Sequence, residues 1–206
     1  MVFDDRAHAA ALLAEALSAW RGHRPLVLAI PRGAVEIGQV VAKALQGELD
    51  VVLVRKLGAP FSPEYAVGAI DESGWSYTAP HAQQAGATSA YLEEEKARQL
   101  AVLRERRARY TPGRGMHDVA GRVVIVVDDG LATGATMIAA LHAVRARDPA
   151  HLICAVPVAS EEAVRLVQTY CDEVVCLSTP PDFRAVGCHY RSFPQVEDEE
   201  VLRMLA

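Results

Sequence analysis

The sequence predicts an α/β fold, a doubly wound parallel sheet with helices on both faces and a small irregular C-terminal part. Three observations predict it. Short, continuously apolar runs of the kind buried in parallel sheets alternate with stretches of helical period. About seventy residues separate the second of these runs from the third, more than a crossover needs, so a helical and hairpin insertion is expected there. The chain from residue 178 onward is irregular and rich in Pro and aromatic residues. The expected organisation is one domain, residues 1–206, with an insertion at about 60–118 and a hood at about 178–206.

The elements follow in order. Asp4 or Asp5 can cap a first helix, whose apolar face carries Leu12, Leu13, Ala16, Leu17 and Trp20. Residues 25–30 (PLVLAI) form a buried strand. Pro31, Arg32 and Gly33 break it, and a second helix runs to about Leu45. Residues 51–54 are the next strand. Residues 66–70 and 75–77 can pair as a hairpin around 71–74. Residues 89–110 read as a long helix, with Glu93, Glu94 and Glu95 early and Arg104, Arg106, Arg107 and Arg109 late, an order that complements the helix dipole. Its Leu92, Leu100, Leu103 and Tyr110 can pack on the core or on a second subunit, which would make the protein a homodimer. Strands at 123–127, 151–158 and 173–177, a helix near 161–170 and a closing helix near 199–205 complete the chain.

The bulk properties exclude several classes. Hydrophobic residues make up 51% of the 206, enough for a core, and no apolar run approaches the roughly 20 residues that span a bilayer. The opening MVFDDRAHAA lacks the basic-then-apolar order of a signal peptide, so a soluble, cytoplasmic protein with no membrane partner is expected. A formal net charge of −5 gives no general attraction to nucleic acid. Cys154, Cys171, Cys176 and Cys188 form no C-x-x-C and read as reduced thiols. There is no nucleophile elbow around Ser160, Ser178 or Ser192, and no Lys precedes Thr136 as a Walker loop requires.

Residues 123–136, VVIVVDDGLATGAT, carry the chemistry. An apolar strand delivers Asp128 and Asp129 to its carboxyl end. The small-residue loop Gly130, Leu131, Ala132, Thr133, Gly134, Ala135, Thr136 leads directly into a helix. Backbone N–H groups at a helix start, with small residues that admit a ligand, form an anion site. Two carboxylates beside it suggest sugar hydroxyls, Mg²⁺, or both. In an open parallel sheet, ligands sit at the strands' carboxyl ends. Arg32 and Gly33 follow the first strand, and Arg55 and Lys56 the second, the latter as two cations in a flexible Arg-Lys-Leu-Gly-Ala-Pro stretch.

This pattern resembles the phosphoribosyl pyrophosphate (PRPP) signature of type I phosphoribosyltransferases, with their Rossmann-like fold. The resemblance implies that Asp128 and Asp129 hold the ribose hydroxyls. It implies that Ala132, Thr133, Gly134, Ala135 and Thr136 hold the 5′-phosphate, and that Arg32, Gly33, Arg55 and Lys56 hold the pyrophosphate. Residues 55–58 then open a mobile catalytic loop. Ser62-Pro63-Glu64-Tyr65 is similar to the S-x-E-Y of adenine-type members, which makes Glu64 a candidate general acid or base. Ala132 stands where 6-oxopurine members carry an Asp, and this argues against their usual chemistry. The R-K-L-G-A-P and G-A-I stretches resemble a small bacterial phosphoribosyltransferase-like group. Phe183 in the hood is a candidate to stack on the acceptor.

The implied reaction transfers phosphoribose from PRPP, with Mg²⁺ near Asp128 and Asp129, to a nitrogenous acceptor, a nucleobase among the candidates, and releases pyrophosphate. Displacement at the anomeric carbon passes through an oxocarbenium-like state, so positioning and charge stabilisation matter more than a covalent nucleophile. The alternative is a PRPP- or nucleotide-binding regulatory protein with little or no turnover. A PRPP-making diphosphotransferase is a third reading, for which the chain is short and shows no separate ATP-binding segment.

Overall fold

The computed structural model describes residues 1–113 and 115–206. Asp5 caps the first helix, α1 (Arg6–Ala16), its carboxylate accepting from the His8 N–H at 2.8 Å. Then come β1 (Leu26–Ala29), α2 (Ala34–Leu45) and β2 (Glu48–Val51). Further along lie β3 (Val54–Ala59), β4 (Ser62–Asp71), β5 (Ser76–Thr78) and α3 (Ser89–Tyr110). The chain continues through β6 (Val123–Val127), α4 (Ala135–Arg145), β7 (His151–Val158), α5 (Glu161–Val167), β8 (Glu173–Ser178) and α6 (Asp198–Leu205).

Five strands form a parallel sheet in the order β2-β1-β6-β7-β8. Strand side chains alternate between faces. Val27, Ala29, Ile125, Val127, Ile153 and Ala155 pack with α1 and α2. Leu26, Leu28, Val124, Val126, Leu152 and Cys154 pack with α4 and α5. All twelve are fully buried, and each large aliphatic contributes about 1.5–3 kcal/mol by leaving water. Both faces are therefore covered, which is why these strands read as unbroken apolar runs. The winding reverses between β1 and β6: the chain steps outward from β1 to β2 and later returns on the other side of β1. In doubly wound sheets the crevice at such a reversal, at the strands' carboxyl ends, is where ligands bind.

The residues between β2 and β6 build a second, antiparallel sheet, β3-β4-β5, which lies between α3 and α4. Its Leu57, Ala59 and Val67 join α3's Leu92 and Leu103 in one core cluster, while Val54 and Ala69 join α4's in the other. The hairpin expected at 66–77 forms as β4 with β5. Its turn is closed by Asp71, whose Oδ1 accepts from the Ser73 N–H, the Ser73 hydroxyl and the Trp75 N–H at 2.8, 2.5 and 3.1 Å. Helix α3 has the expected ends. Thr88 caps it, and Leu92, Leu100, Leu103 and Tyr110 pack against the protein's own core cluster.

One expectation is corrected. Residues 55–59 are not a flexible loop but the body of β3, paired with β4 from Val54↔Asp71 to Ala59↔Ser62. The apolar run 51–54 holds the end of one strand and the start of another, with Val52 and Leu53 buried where the chain changes sheet. Leu57 and Ala59 anchor β3 in the core, and the Tyr91 hydroxyl donates to the Gly58 carbonyl at 2.7 Å.

The C-terminal segment runs back to the N-terminal one. The Phe3 N–H donates to the His189 carbonyl at 2.8 Å, and the Arg191 and Ser192 N–H groups donate to the carbonyls of Phe3 and Asp4 at 2.9 Å each. Helix α6, opened by a reciprocal Glu197–Glu200 capping box, packs on α2 and α3 through the buried Val201. Among the described residues, no helix is long and apolar enough to cross a membrane.

Candidate functional site

Strands β1 and β6 are hydrogen-bonded neighbours in register, Ala29 beside Val127, so the residues after each emerge together. Pro31, Arg32 and Gly33 follow β1; Asp128 and Asp129 follow β6. Asp128 Oδ1 accepts the Asp129 N–H at 2.8 Å, which turns the chain and fixes one acid against the other. Burial pushes both carboxyls up from their usual range, and the charge of Asp129 pushes Asp128 well above it.

Asp129 has a partner with no local sequence signal. Arg6, 5% exposed on the first turn of α1, donates from Nε and Nη2 to its Oδ2 at 3.2 and 3.1 Å. The Tyr190 hydroxyl donates to the Asp129 carbonyl at 2.6 Å. Gly33 completes the packing. A Cβ there would lie 2.8 Å from Arg6 Nε and closer still to Asp129 Oδ2, so only glycine lets β1's following turn approach the ion pair.

The loop at 130–134 is pinned to the end of β7. The Leu131 N–H donates to the Val158 carbonyl at 2.9 Å, the Ser160 N–H returns to Leu131 at 3.0 Å, and the Ser160 hydroxyl reaches the Ala132 carbonyl at 2.8 Å. Gly134 holds φ +79°, the left-handed turn that starts α4. Ala132 and Thr133 are exposed on this loop. With Gly134, Ala135 and Thr136 they line an open cleft of about 290 Å³, whose other walls are Lys56, Glu64, Tyr65, Ala66 and Val186. The first turn of α4 carries no acid, so nothing there opposes an anion at the helix start.

The four residues expected to clamp the pyrophosphate are not all together. Side chains alternate along β3, so adjacent Arg55 and Lys56 point to opposite faces. Arg55 turns to the α3 face and donates to Gln99 Oε1; burial lowers its pKa, with Arg106 and Arg32 adding to the effect. Lys56 turns to the cleft lined by the 130–136 loop and donates to Glu64 Oε2 at 2.6 Å. That hydrogen bond and the ammonium's charge hold Glu64 below the usual carboxylate range, which leaves it without a proton to give near neutrality. Arg32 sits 3.2 Å from Glu197 and 3.9 Å from Asp198, at the start of α6. Phe183 stacks on His189, ring centroids 5.3 Å apart, and the tail residue lining the cleft at the 130–136 loop is Val186.

The arrangement can hold an anion at the start of α4, polar groups of a sugar at the acid pair, and further negative charge around Arg32. Carboxylate oxygens raised by burial also suit a hard divalent cation, which would relieve their repulsion. Among the described residues, no cluster of three or more His, Cys, Asp or Glu is placed to hold a metal by protein groups alone.

The chain is similar to several known proteins. A Mycobacterium tuberculosis protein carrying the provisional name phosphoribosyl transferase (Rv0571c in one strain, MT0597 in another) is 42% identical over 205 residues. That match takes in 99% of this chain and 46% of the relative, so the chain spans about half the length of the curated relatives it matches. The crystal structure of TT1426 from Thermus thermophilus superposes with a TM-score of 0.82 at 51% identity, over 100% of this chain and 98% of that one. AQ2163 from Aquifex aeolicus, 11% identical over 84% of this chain and 72% of its own, shares the fold at a TM-score of 0.51. The model of the phosphoribosyl transferase domain matches residues 3–192, from the segment that supports Arg6 to the one that carries Tyr190, and the chain belongs to that family.

Proposed function

We propose that this protein is a cytoplasmic enzyme of nucleotide metabolism that transfers phosphoribose from PRPP to a nitrogenous acceptor, in the presence of Mg²⁺, and releases pyrophosphate. One observation carries the reading: the acid pair and the start of α4 share the β6 end of the crevice where the sheet's winding reverses, with Arg32 and Gly33 on the neighbouring strand end. Residues 132–136 receive the 5′-phosphate, with Lys56 as its cation. Asp128 and Asp129 orient the ribose and stabilise the positive charge that develops at the anomeric carbon. Arg32 and Arg55 face the pyrophosphate, and Gly33 lets the backbone come close. Asp128 and Asp129 would stand near a substrate-borne Mg²⁺, which would neutralise charge on the leaving group. Residues 1–206 act as one catalytic domain in this reading, with the part from β3 to α3 as the insertion. Residues 178–206 are the hood, where Phe183 stands near the acceptor.

A regulatory protein that binds PRPP or a nucleotide without turnover is the second reading. It is favoured by the ion pairs Arg32–Glu197 and Lys56–Glu64, which already neutralise two of the cations the transfer needs.

The test is pyrophosphate release from PRPP and Mg²⁺, screened over purines, pyrimidines and small amines. Turnover with any acceptor, lost on Asp128→Asn with Asp129→Asn, supports the enzyme. Calorimetric binding of PRPP without turnover across the panel supports the regulator. Absence of binding by PRPP and by ribose 5-phosphate defeats both.

A further inference from the structure

Arg6 is held from three sides. Its Nε and Nη2 both go to one oxygen, Asp129 Oδ2; its Nη1 donates to the Pro194 carbonyl at 2.7 Å; its guanidinium carbon lies 3.9 Å from the centre of the Phe193 ring. Three parts of the chain, α1, the loop after β6 and the tail, therefore fix one guanidinium. Stability alone does not account for it, since a buried ion pair is commonly no better than apolar side chains of the same volume. Asp129 is fixed as firmly. Its N–H is bonded to Asp128, its carbonyl to Tyr190, and Gly33 closes over its Oδ2. Both Arg6 bonds end on Oδ2 and neither on Oδ1, and the Asp129 side chain keeps 19% of its surface exposed.

We propose that Arg6 is a positioning residue: by holding Asp129 Oδ2 it presents Oδ1 as the acceptor for one ribose hydroxyl. The inference rests on the proposed function and adds which oxygen reads the sugar, and what aims it. Among the described residues, the other charged or titratable groups that face the pair are Asp128 beside it, Glu36 on α2 and Tyr190 in the tail, with Asp5 and Glu200 in turn acting on Glu36. Arg6 is the cation bonded to either acid, and it opposes the effect of burial chiefly at Asp129.

The experiment compares ribose 5-phosphate with its 2-deoxy and 3-deoxy analogues by calorimetry. Wild type binds the parent roughly tenfold or more tightly than one of the two analogues, the usual weight of a hydrogen bond to a charged group. In Arg6→Gln the preference against that same analogue falls to about twofold or less, and Arg6→Lys recovers part of it. Asp129→Asn, with Arg6 intact, loses the same preference, and adding Arg6→Gln to it removes nothing further. A folded Arg6→Gln protein with wild-type discrimination overturns the proposal. If Arg6→Gln does not fold, Arg6→Lys and Asp129→Asn decide: weakening against different analogues overturns it. If wild type binds none of the three sugars, the proposed function fails, and the hydroxyl's role with it.

Discussion

The carboxyl end of the parallel sheet and the inserted antiparallel sheet treat neighbouring residues in opposite ways. After β6 the chain leaves the sheet, so adjacent Asp128 and Asp129 stay together in one turn and repel each other. Within β3 the chain is still extended, so adjacent Arg55 and Lys56 part to opposite faces, one toward α3 and one toward the 130–136 loop. Adjacency in sequence means convergence where a strand ends and divergence where it continues. Of the expected clamp at Arg32, Gly33, Arg55 and Lys56, the two residues from β3 thereby lie on opposite faces of that strand.

The largest expected effect is at the convergent end. Gly33→Ala places a Cβ against Asp129 and Arg6 and should cost about 1–3 kcal/mol, read as a fall in thermal midpoint of about 2–4 °C per kcal/mol. PRPP affinity should fall by at least about a hundredfold, because the same crowding displaces the acid pair. Unaltered stability and affinity would show that the approach of β1 to the acids is looser than described.

The divergent end is tested by ligand choice. Lys56→Gln should weaken ribose 5-phosphate about tenfold and leave inorganic pyrophosphate unchanged; Arg55→Gln should do the reverse. If both variants affect the same ligand, the two side chains share one subsite after all.

The third prediction concerns pH. The folded protein holds the Asp128 proton above the usual carboxylate range, because the group is buried and faces Asp129. The folded state then binds more protons than the unfolded chain, so stability declines as pH rises from about 4 through the raised value. Asp128→Asn should therefore melt above wild type at pH 7, with the gap closing below about pH 4. A gap that persists in acid would assign the effect to packing.

The smallest effect is expected where the insertion meets the tail. The Tyr110 hydroxyl, 2.5 Å from Asp198, holds that carboxyl below its usual range against the opposing effect of burial, and Arg106, Arg109 and Arg32 add to this. Its contribution is present above the unfolded value and lost as pH falls through the lowered one. Asp198→Asn should cost about 1 kcal/mol at pH 7 and nothing in strong acid, measured by thermal unfolding.

The same contrast explains what could be read in advance. The buried strands announce themselves as apolar runs, and the residues following β1 and β6 are where the topology makes side chains meet. The span of α3 was legible because the charge order of 93–109 fits the dipole, and the structure adds Thr88 as its cap. The change of sheet at 52–53 was not, because Val51, Val52, Leu53 and Val54 are apolar without a Gly or Pro to mark the break. Arg55, Lys56 and Gly58 then disguised β3 as a loop, since its burial depends on a helix more than thirty residues later. Arg6 was silent for a related reason: on a helix's first turn it resembles any solvated charge, and its partner lies 123 residues away.

That separation bears on how the protein comes into being. The loop at 130–134 and α4 can form once β6 and β7 are paired and Ser160 is in place. The setting of Arg6 needs Phe193 and Pro194 as well, the latter 188 residues distant. Contacts of such span form late, because the cost of closing the chain must be met before they contribute. During synthesis the nascent protein therefore has the loop at 130–134 formed before Arg6 reaches its final setting.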